Sequence, residues 1–213
     1  MVIVNYNIGN ISSIANMLQK IGHKATVTNN PDTIANANKI ILSGVGAFNN
    51  GMLQLSNLNL LEVLNEKVLH DKVPVLGICL GMQLMCKKSE EGTVPGLSWI
   101  DAEVIRFRNS DLFPDMRIPN IGWNDLKFEK KSKLFTDIDD PKFYFLHSYH
   151  LNINKSDSTS TSTSTSTIIL STSHYHYDFI SAIEQDNILG VQFHPEKSHK
   201  YGMKLLKNFV ELY

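Results

Sequence analysis

Short apolar runs alternate with segments of helical periodicity along the first ninety residues of the chain. Four runs have the length and composition of buried strands, at residues 2–6, 25–28, 39–42 and 73–76. The segments between them carry apolar residues at helical spacing, and we expect helices over residues 11–21, 31–37 and 60–69. Strands that alternate with helices are typical of parallel βαβ units. The pattern therefore predicts an α/β fold with a doubly wound, mostly parallel sheet.

The pattern changes after Pro95, where short strand-like runs follow one another across polar turns without long helices. They lie at residues 100–107, 123–129 and 143–149, and a further buried strand is expected at 188–193. Residues 200–212 then place their apolar side chains on one face of a closing helix. We expect antiparallel additions to the same sheet and a single domain over residues 1–213.

A strict Ser-Thr alternation occupies residues 158–167. Its composition supplies no side chain for a core, which favours a polar, poorly ordered hairpin loop at about 156–167. Threonine also has good strand propensity, so a solvent-exposed β-ribbon is the alternative. Under either interpretation we expect no catalytic residue in this segment.

Composition and charge exclude several classes of protein. Hydrophobic residues make up 42% of the 213 residues, which is ample for a buried core. Lys and Arg number 20 against 21 Asp and Glu, so no basic field favours binding to nucleic acid or to a membrane surface. Two cysteines cannot build a disulfide scaffold or a four-cysteine zinc site.

The remaining signals point to a soluble, cytoplasmic protein without a metal or cofactor. The first six residues lack the features of a secretory signal, and the longest nearly apolar run, 73–86, is too short to span a bilayer. The eight histidines are not surrounded by the pattern of a zinc site. Four histidines are expected to be exposed or at an interface, and these are His150, His174, His176 and His199.

The strongest chemical signal is a cysteine between two glycines where the fourth strand meets a helix. Residues 77–81 read Gly-Ile-Cys-Leu-Gly, which is a nucleophile elbow with cysteine in the place of serine. The glycines are needed because the nucleophile occupies a sharp, strained turn. The turn exposes the sulphur of Cys79 and leaves the N–H of Leu80 free to stabilise an oxyanion. Cys86 has no such context and is expected in the core.

A nucleophilic cysteine requires a base and a group that orients the base. Residues 192–196, Gln-Phe-His-Pro-Glu, supply both at the end of a buried strand. Alternate residues of an extended segment point the same way, so His194 and Glu196 can share one side. We therefore predict a catalytic set of Cys79, His194 and Glu196.

These motifs resemble the class I (triad-type) glutamine amidotransferases, and most closely the glutaminase subunits of imidazole glycerol phosphate synthases. The likeness extends nearly end to end, except for the Ser-Thr repeat. The elbow and His-Pro-Glu are shared by the whole class, whereas Gly-Trp-Asn and His-Ser-Tyr are specific to the subfamily. The matching segments are residues 44–48 (GVGAF), 77–83 (GICLGMQ), 89–92 (SEEG), 121–124 (IGWN), 144–149 (YFLHSY) and 192–198 (QFHPEKS).

The resemblance implies that Cys79 attacks the carboxamide of glutamine and releases ammonia and glutamate. It implies a second oxyanion donor from Val45 and Gly46, through a peptide flip beside Leu80. Other matched positions would bind glutamine, and these are Gln83, Glu91, His147, Ser148 and Tyr149.

The resemblance also implies a (β/α)8-barrel synthase partner that takes the ammonia to form imidazole glycerol phosphate and aminoimidazole carboxamide ribotide. The candidate docking residues, by position only, are Asn120, Trp123, Asn124 and Lys197. Two positions depart from the family pattern: Asn5 stands where the family has Asp, and Asn120 stands where it has His.

Three other functions remain open at this point. Residues 96–103 and 196–203 also resemble a paralogous branch whose glutaminase supplies ammonia for a bacterial surface sugar. A cysteine peptidase or γ-glutamyl hydrolase could use a similar elbow, although Gln83 and Glu91 argue against it. A binding module with an inactive site is disfavoured by the complete catalytic set.

Overall fold

The computed structural model describes residues 1–109, 114–153 and 168–213 of the chain. The loop expected at about 156–167 lies outside these residues, so both interpretations of the Ser-Thr repeat stay predictions. Within the described residues no helix is long and apolar enough to cross a membrane.

The described elements follow the expected alternation of strands and helices. The α-helices are α1 (Ile11–Lys20), α2 (Pro31–Ala35), α3 (Phe48–Asn57), α4 (Leu61–Asn65), α5 (Leu80–Leu84) and α6 (His199–Leu212). The strands are β1 (Val2–Val4), β2 (Thr26–Thr28), β3 (Ile40–Gly44), β4 (Val75–Cys79), β5 (Lys88–Ser89), β6 (Glu103–Arg106), β7 (Asn120–Asp125), β8 (Lys127–Phe128), β9 (Lys142–His147), β10 (Tyr149–Asn152), β11 (Ile168–Tyr175), β12 (Tyr177–Gln185) and β13 (Ile188–Val191).

The main sheet has a parallel centre and an antiparallel flank. Its order is β2-β1-β3-β4-β13-β12-β10-β6-β5, and the first five strands of this order run parallel. Strands β12, β10 and β6 then pair antiparallel, and β11 and β8 extend the flank from β12. The predicted fold class, a mostly parallel α/β sheet with antiparallel additions, is confirmed.

Helices cover both faces of the sheet, because its central strands are apolar on both sides. Alternate residues of β4 point into different cores: Val75 packs with α2, α3, α4 and α5, whereas Leu76 and Ile78 pack with α1 and α6. Buried strands of this kind read as continuous apolar runs in the sequence. The two cores hold the parallel centre rigidly between the layers of helices.

Several predicted boundaries were wrong. Helix α3 was not predicted, and the helix expected over 60–69 divides into α4 and a π-helical turn at Glu66–His70. The strand expected at 100–107 begins only at Glu103, and the one expected at 123–129 divides into β7 and β8. The hairpin of β11 and β12 was also missed.

The strand expected at 143–149 divides at Ser148, and this break shapes the site. Strand β9 pairs with β7 in a separate two-stranded sheet, whereas β10 belongs to the main sheet. His150, expected to be exposed, is instead buried at 6% exposure, because β10 lies between β6 and β12 in the interior of the main sheet.

Candidate active site

The cysteine elbow has the strained geometry expected from its glycines. Cys79 adopts φ 53° and ψ −111° between β4 and α5, a conformation that L residues rarely occupy. A Cβ on Gly77 would lie 2.8 Å from the backbone N of Met82, and one on Gly81 would lie 2.6 Å from the carbonyl carbon of Leu42. Only glycine fits at either position, so the sequence Gly-x-Cys-x-Gly is needed to form this turn.

Sheet order brings His194 to the elbow across a long stretch of sequence. Strand β13 runs parallel to β4, with Val191 in register with Ile78, so residues 192–196 continue beside Cys79. The backbone N–H of His194 donates to the carbonyl of Tyr144 at 2.8 Å, and Ser198 Oγ donates to the carbonyl of His194 at 2.6 Å. These bonds hold the turn that carries His194.

The two ring nitrogens of His194 have different surroundings. Nδ1 lies 2.8 Å from Glu196 Oε1, and both side chains are fully buried. Because the carboxylate accepts, Nδ1 carries the hydrogen and Nε2 is the basic nitrogen. Among the described residues, the buried Nε2 has no hydrogen bond of good geometry.

Opposing electrostatic effects act on His194. Burial lowers its pKa, while the neighbouring Cys79 and the hydrogen-bonded Glu196 raise it, and the net shift is upward. A raised pKa means that His194 holds a proton firmly once it has taken one from the thiol. The structure thus brings together Cys79, His194 and Glu196, which the sequence predicts as nucleophile, base and orienting group.

A cavity of about 310 Å³ opens over the sulphur of Cys79. Every residue predicted to bind glutamine or to stabilise the oxyanion lies on its wall. The lining residues are Val45, Gly46, Ala47, Cys79, Leu80, Gln83, Glu91, Pro119, Leu146, His147, Ser148 and Tyr149. The size suits a small ligand, and the polar groups converge on one nucleophile.

Gln83 and Glu91 present acceptors to this cavity. The side-chain amide nitrogen of Gln83 donates to the carbonyl of Tyr149 and to Gln192 Oε1, each at 3.1 Å, which leaves its Oε1 to face a ligand. The Glu91 carboxylate accepts from the backbone N–H of Phe48 at 2.9 Å. Burial raises the pKa of Glu91, and the bond from Phe48 opposes this shift. Two acceptors on one wall favour a cationic group such as an α-ammonium.

His147 is a neutral part of the cavity wall. Its Nδ1 lies 2.8 Å from the carbonyl of Tyr149, and its Nε2 lies 3.2 Å from the side-chain amide nitrogen of Asn120. Burial lowers its pKa to about 3, despite the bond to Tyr149, which acts in the opposite direction. Both ring nitrogens are engaged within the protein, so His147 shapes the cavity rather than exchanging protons there.

The candidate oxyanion donors lie on two neighbouring strand ends. The N–H of Leu80 belongs to the first turn of α5, where helix geometry leaves it without an intrahelical acceptor. Gly44 is in register with Cys79, so Val45 and Gly46 continue past the sulphur. Gly46 has φ 133° and open space around its Cα, which permits more than one peptide orientation.

Trp123 and Lys197 form an exposed patch beside the site, whereas Asn120 does not join it. The ring of Trp123 is 46% exposed and contacts Tyr144, and the Lys197 ammonium lies 5.4 Å from the centre of the same Tyr144 ring.

The prediction that Asn120 belongs to the docking face is wrong for its side chain. Asn120 is 1% exposed because it points inward to His147. Asn124, half-buried on the same strand, lies 3.5 Å from it.

Gln192 is the main residue of the site that the sequence did not assign. Its amide nitrogen lies 3.6 Å from Cys79 Sγ, and the side chain is fully buried. The signal in the sequence was its place two residues before His194, because the alternation that puts His194 and Glu196 on one side also includes Gln192. Sheet register, which a sequence does not display, places it next to the sulphur.

Comparisons with known proteins show the family to which the chain belongs. The model of the family "Glutamine amidotransferase class-I" matches residues 2–212. The chain is 46% identical to imidazole glycerol phosphate synthase subunit HisH 2 of Methanococcus maripaludis, with 98% of each chain covered. It is 42% identical to the subunit of the same name in Pseudomonas aeruginosa, over 99% of this chain and 98% of that one. A crystal structure of a glutamine amidotransferase shares the fold, with a TM-score of 0.72 at 17% identity over 99% of this chain and 97% of that one.

Proposed function

Because this chain belongs to the class-I glutamine amidotransferase family, we propose that it is the glutaminase subunit of an imidazole glycerol phosphate synthase. It hydrolyses glutamine to glutamate and passes the ammonia to a synthase partner. The observation that carries the proposal is the cavity over Cys79, which joins the nucleophile, base and orienting carboxylate to acceptors for an α-ammonium group.

The first half of the reaction forms a thioester. Cys79 loses its proton to His194 Nε2, and the sulphur attacks the amide carbon of glutamine. The tetrahedral oxyanion is stabilised by the N–H of Leu80 and by a second donor from the Val45–Gly46 peptide. The carbon–nitrogen bond then breaks, His194 returns the proton to the leaving nitrogen, and ammonia departs.

The second half restores the enzyme with the same groups. His194 takes a proton from water, and the oxygen attacks the thioester carbon. The carbon–sulphur bond then breaks to release glutamate, and His194 returns the proton to the sulphur of Cys79. Throughout, Glu196 holds the ring of His194 and stabilises the imidazolium that forms. The chemistry needs no metal or cofactor.

Substrate recognition follows from the acceptors on the wall. Gln83 Oε1 and the Glu91 carboxylate receive the α-ammonium of glutamine, which rejects simple amides without that charge. Ser148 and Tyr149, at the break between β9 and β10, also line the cavity.

The partner in this proposal is a (β/α)8-barrel subunit that consumes the ammonia and forms imidazole glycerol phosphate and aminoimidazole carboxamide ribotide. The patch of Trp123 and Lys197 is its docking face. A cytoplasmic location belongs to the proposal, because the reaction needs Cys79 as a free thiol and reducing compartments keep thiols reduced.

Complementation tests the proposal directly. We expect the gene to restore growth without histidine to a strain that lacks its own glutaminase subunit, and Cys79→Ala to abolish the rescue. Cys86→Ala is the matched control, because Cys86 is a buried thiol in the core away from the cavity. Cys79→Ala should leave synthesis from added ammonium salts intact, since the partner alone holds the acceptor chemistry.

Failure to complement, combined with glutamine hydrolysis in vitro, would reject the histidine pathway and support the surface-sugar branch. Loss of ammonium-dependent synthesis in a folded Cys79→Ala complex would show that Cys79 does more than generate ammonia.

A further inference from the structure

A fully buried glutamine lies directly against the nucleophilic sulphur. Gln192 follows β13, whose last residue is in register with Ile78, so Gln192 lies beside Cys79 in the continuation of the two strands. Its backbone N–H continues the ladder to β12 by donating to Ser181 at 2.9 Å. Its side-chain nitrogen lies 3.6 Å from Cys79 Sγ. Both the backbone and the side chain of Gln192 are therefore held in place.

We propose that Gln192 is a further catalytic residue, whose amide N–H donates to the sulphur of Cys79 and stabilises its thiolate form. The inference deepens the proposed function, since it concerns the same nucleophile. The contact itself does not depend on which substrate the cavity receives.

A chain of hydrogen bonds fixes which end of the Gln192 amide faces the sulphur. The carbonyl of Tyr149 can only accept, so the atom of Gln83 that bonds to it is the amide nitrogen. That nitrogen also lies 3.1 Å from the Gln192 side chain, which must therefore present its oxygen. The nitrogen of Gln192 is left to face Cys79. A flip of the Gln192 amide would break its hydrogen bond with Gln83.

The series of hydrogen bonds continues beyond Tyr149 to strand β7. Nδ1 of His147 donates to the same carbonyl, and Asn120 donates to Nε2 of that ring. Burial lowers the pKa of His147 to about 3, so the ring is neutral and its Nε2 can accept from Asn120. The orientation of Gln192 is thus held by four hydrogen bonds that run from Asn120 on β7 to the side-chain oxygen of Gln192.

The role follows from where charge resides during the reaction. A donor to sulphur favours the thiolate before attack and again when the thiolate leaves in the second half-reaction. Between these points the sulphur is a neutral thioester and accepts only weakly. Gln192 is absent from the cavity lining, so it acts on the sulphur without touching the bound amino acid.

The test measures thiolate formation without requiring turnover. Alkylation of Cys79 by iodoacetamide is followed across a pH series by mass spectrometry, in the full chain and in Gln192→Met, which keeps the volume but cannot donate. In Gln192→Met we expect the midpoint of the plot of alkylation rate against pH to move toward alkaline pH by about one unit. Below that midpoint, alkylation should be roughly tenfold slower than in the unaltered protein. Gln185→Met is the matched control, because its amide donates to the carbonyl of Trp99 instead. The peptide with Cys86 serves as an internal standard for a buried thiol.

Glutaminase kinetics with the partner separate this role from a structural one. In Gln192→Met we expect kcat to fall about tenfold while KM changes less than about twofold. An unshifted alkylation profile, or a loss confined to KM, overturns the proposal. If the protein does not hydrolyse glutamine at all, the proposed function fails. The alkylation result still shows whether Gln192 donates a hydrogen bond to Cys79.

A measurement on the unaltered side chain covers the case in which Gln192→Met does not fold. In the ¹⁵N-labelled protein, one side-chain amide proton of Gln192 should shift over the same pH range as alkylation. The shift should be absent in Cys79→Ala. A resonance that does not respond to pH, or that responds equally in Cys79→Ala, contradicts the proposed bond.

Discussion

At the scale of single residues, the site depends on the buried hydrogen bond between His194 and Glu196. Glu196 holds the ring of His194 so that only Nε2 is basic, and both side chains are fully buried. The remaining carboxylate oxygen of Glu196 has no hydrogen-bond partner among the described residues. A buried carboxylate with so little solvation is retained because the imidazolium balances its charge during the reaction.

Replacing Glu196 with Gln should slow the reaction and leave the fold intact. The amide keeps the shape but removes the negative charge, so the pKa of His194 falls and the imidazolium is less stable. We expect kcat to drop at least about tenfold, which corresponds to about 1.4 kcal/mol of transition-state stabilisation. Steady-state glutaminase assays of the complex measure this change.

Glu184→Gln is the control for that substitution, since Glu184 is also partly buried and accepts from Ser132 at 2.9 Å away from the cavity. Equal turnover in Glu196→Gln and Glu184→Gln would remove Glu196 from the catalytic set and leave a Cys-His pair.

At the scale of elements, tight contacts between β3, β4 and α5 hold the elbow. A Cβ on Gly81 would meet the backbone carbonyl of Leu42 on β3, which cannot move without displacing the strand. In α3, by contrast, the nearest atoms to a Cβ on Gly51 would be side-chain methyl groups, those of Leu84 at 3.0–3.1 Å and one of Leu80 at 3.4 Å. The first contact is rigid, and the second can be relieved by a rotation of the Leu84 side chain.

Gly81→Ala should therefore destabilise the protein more than Gly51→Ala. Overpacking against backbone costs about 1–3 kcal/mol, and we expect at least about 2 kcal/mol for Gly81→Ala. In a domain of this size that corresponds to a Tm lowered by roughly 4–8 °C. For Gly51→Ala, better helix propensity offsets mild crowding, and the change should stay within about 1 kcal/mol. Thermal unfolding of the two variants side by side measures the difference, and similar Tm values for both would contradict the close approach of α5 to β3.

Local patterns predicted the strands that lead to Cys79 and His194. They failed where contacts between distant elements determine whether a segment is a helix or where a strand ends. The parallel centre was predictable because its strands are apolar runs bounded by glycine or proline. Helix α3 was missed because Asn49, Asn50 and Gly51 are poor helix formers, and packing against α5 stabilises the helix instead. The break at Ser148 is invisible in the alternation of residues 143–149, since it arises from β9 and β10 joining different sheets.

Apart from Gln192, the residues of the site were predictable from the sequence, whereas the hydrogen bonds between them were not. All the residues expected around the glutamine lie on the cavity, because motif and topology agree on the carboxyl ends of the parallel strands. The contacts of Gln192 with Cys79 and of Asn120 with His147 span 113 and 27 residues of sequence, and no local pattern reports them.

At the scale of the whole molecule, the exposed patch and the catalytic turn share one segment. Lys197 immediately follows Glu196, and its ammonium lies over the ring of Tyr144. The carbonyl of Tyr144 accepts from the backbone of His194, and its ring contacts Trp123. A partner bound to Trp123 and Lys197 would therefore contact residues that hold the base in place.

The free chain should hydrolyse glutamine poorly, and the synthase partner with its acceptor bound should raise the rate strongly. The N–H of Leu80 is the first expected oxyanion donor, and a flip of the glycine peptide at Gly46 would add a second. One such donor is worth about 10²–10³ in kcat. Steady-state kinetics of the chain alone, with partner, and with partner and an acceptor analogue measure the gain.

Substitutions of two exposed apolar residues test whether the patch of Trp123 and Lys197 binds the partner. Trp123→Ala should weaken the stimulation, because large aromatic side chains at an interface contribute strongly to binding. Leu53→Ala, 55% exposed on α3, should leave the stimulation unchanged. Full activity in the free chain would contradict activation by the partner while leaving the roles of Cys79 and His194 in place.

The position of β13 at the centre of the sheet affects how the protein is made on the ribosome. Strands β1 to β4 are synthesised early, yet β4 gains its second neighbour only when residues 188–191 emerge, more than a hundred residues later. Until then, the edge of β4 offers unpaired backbone groups to other nascent chains, which favours aggregation. Contacts so distant in sequence also form slowly. The reactive sulphur meets its base only when this strand inserts, so the thiol is not activated before the sheet is complete.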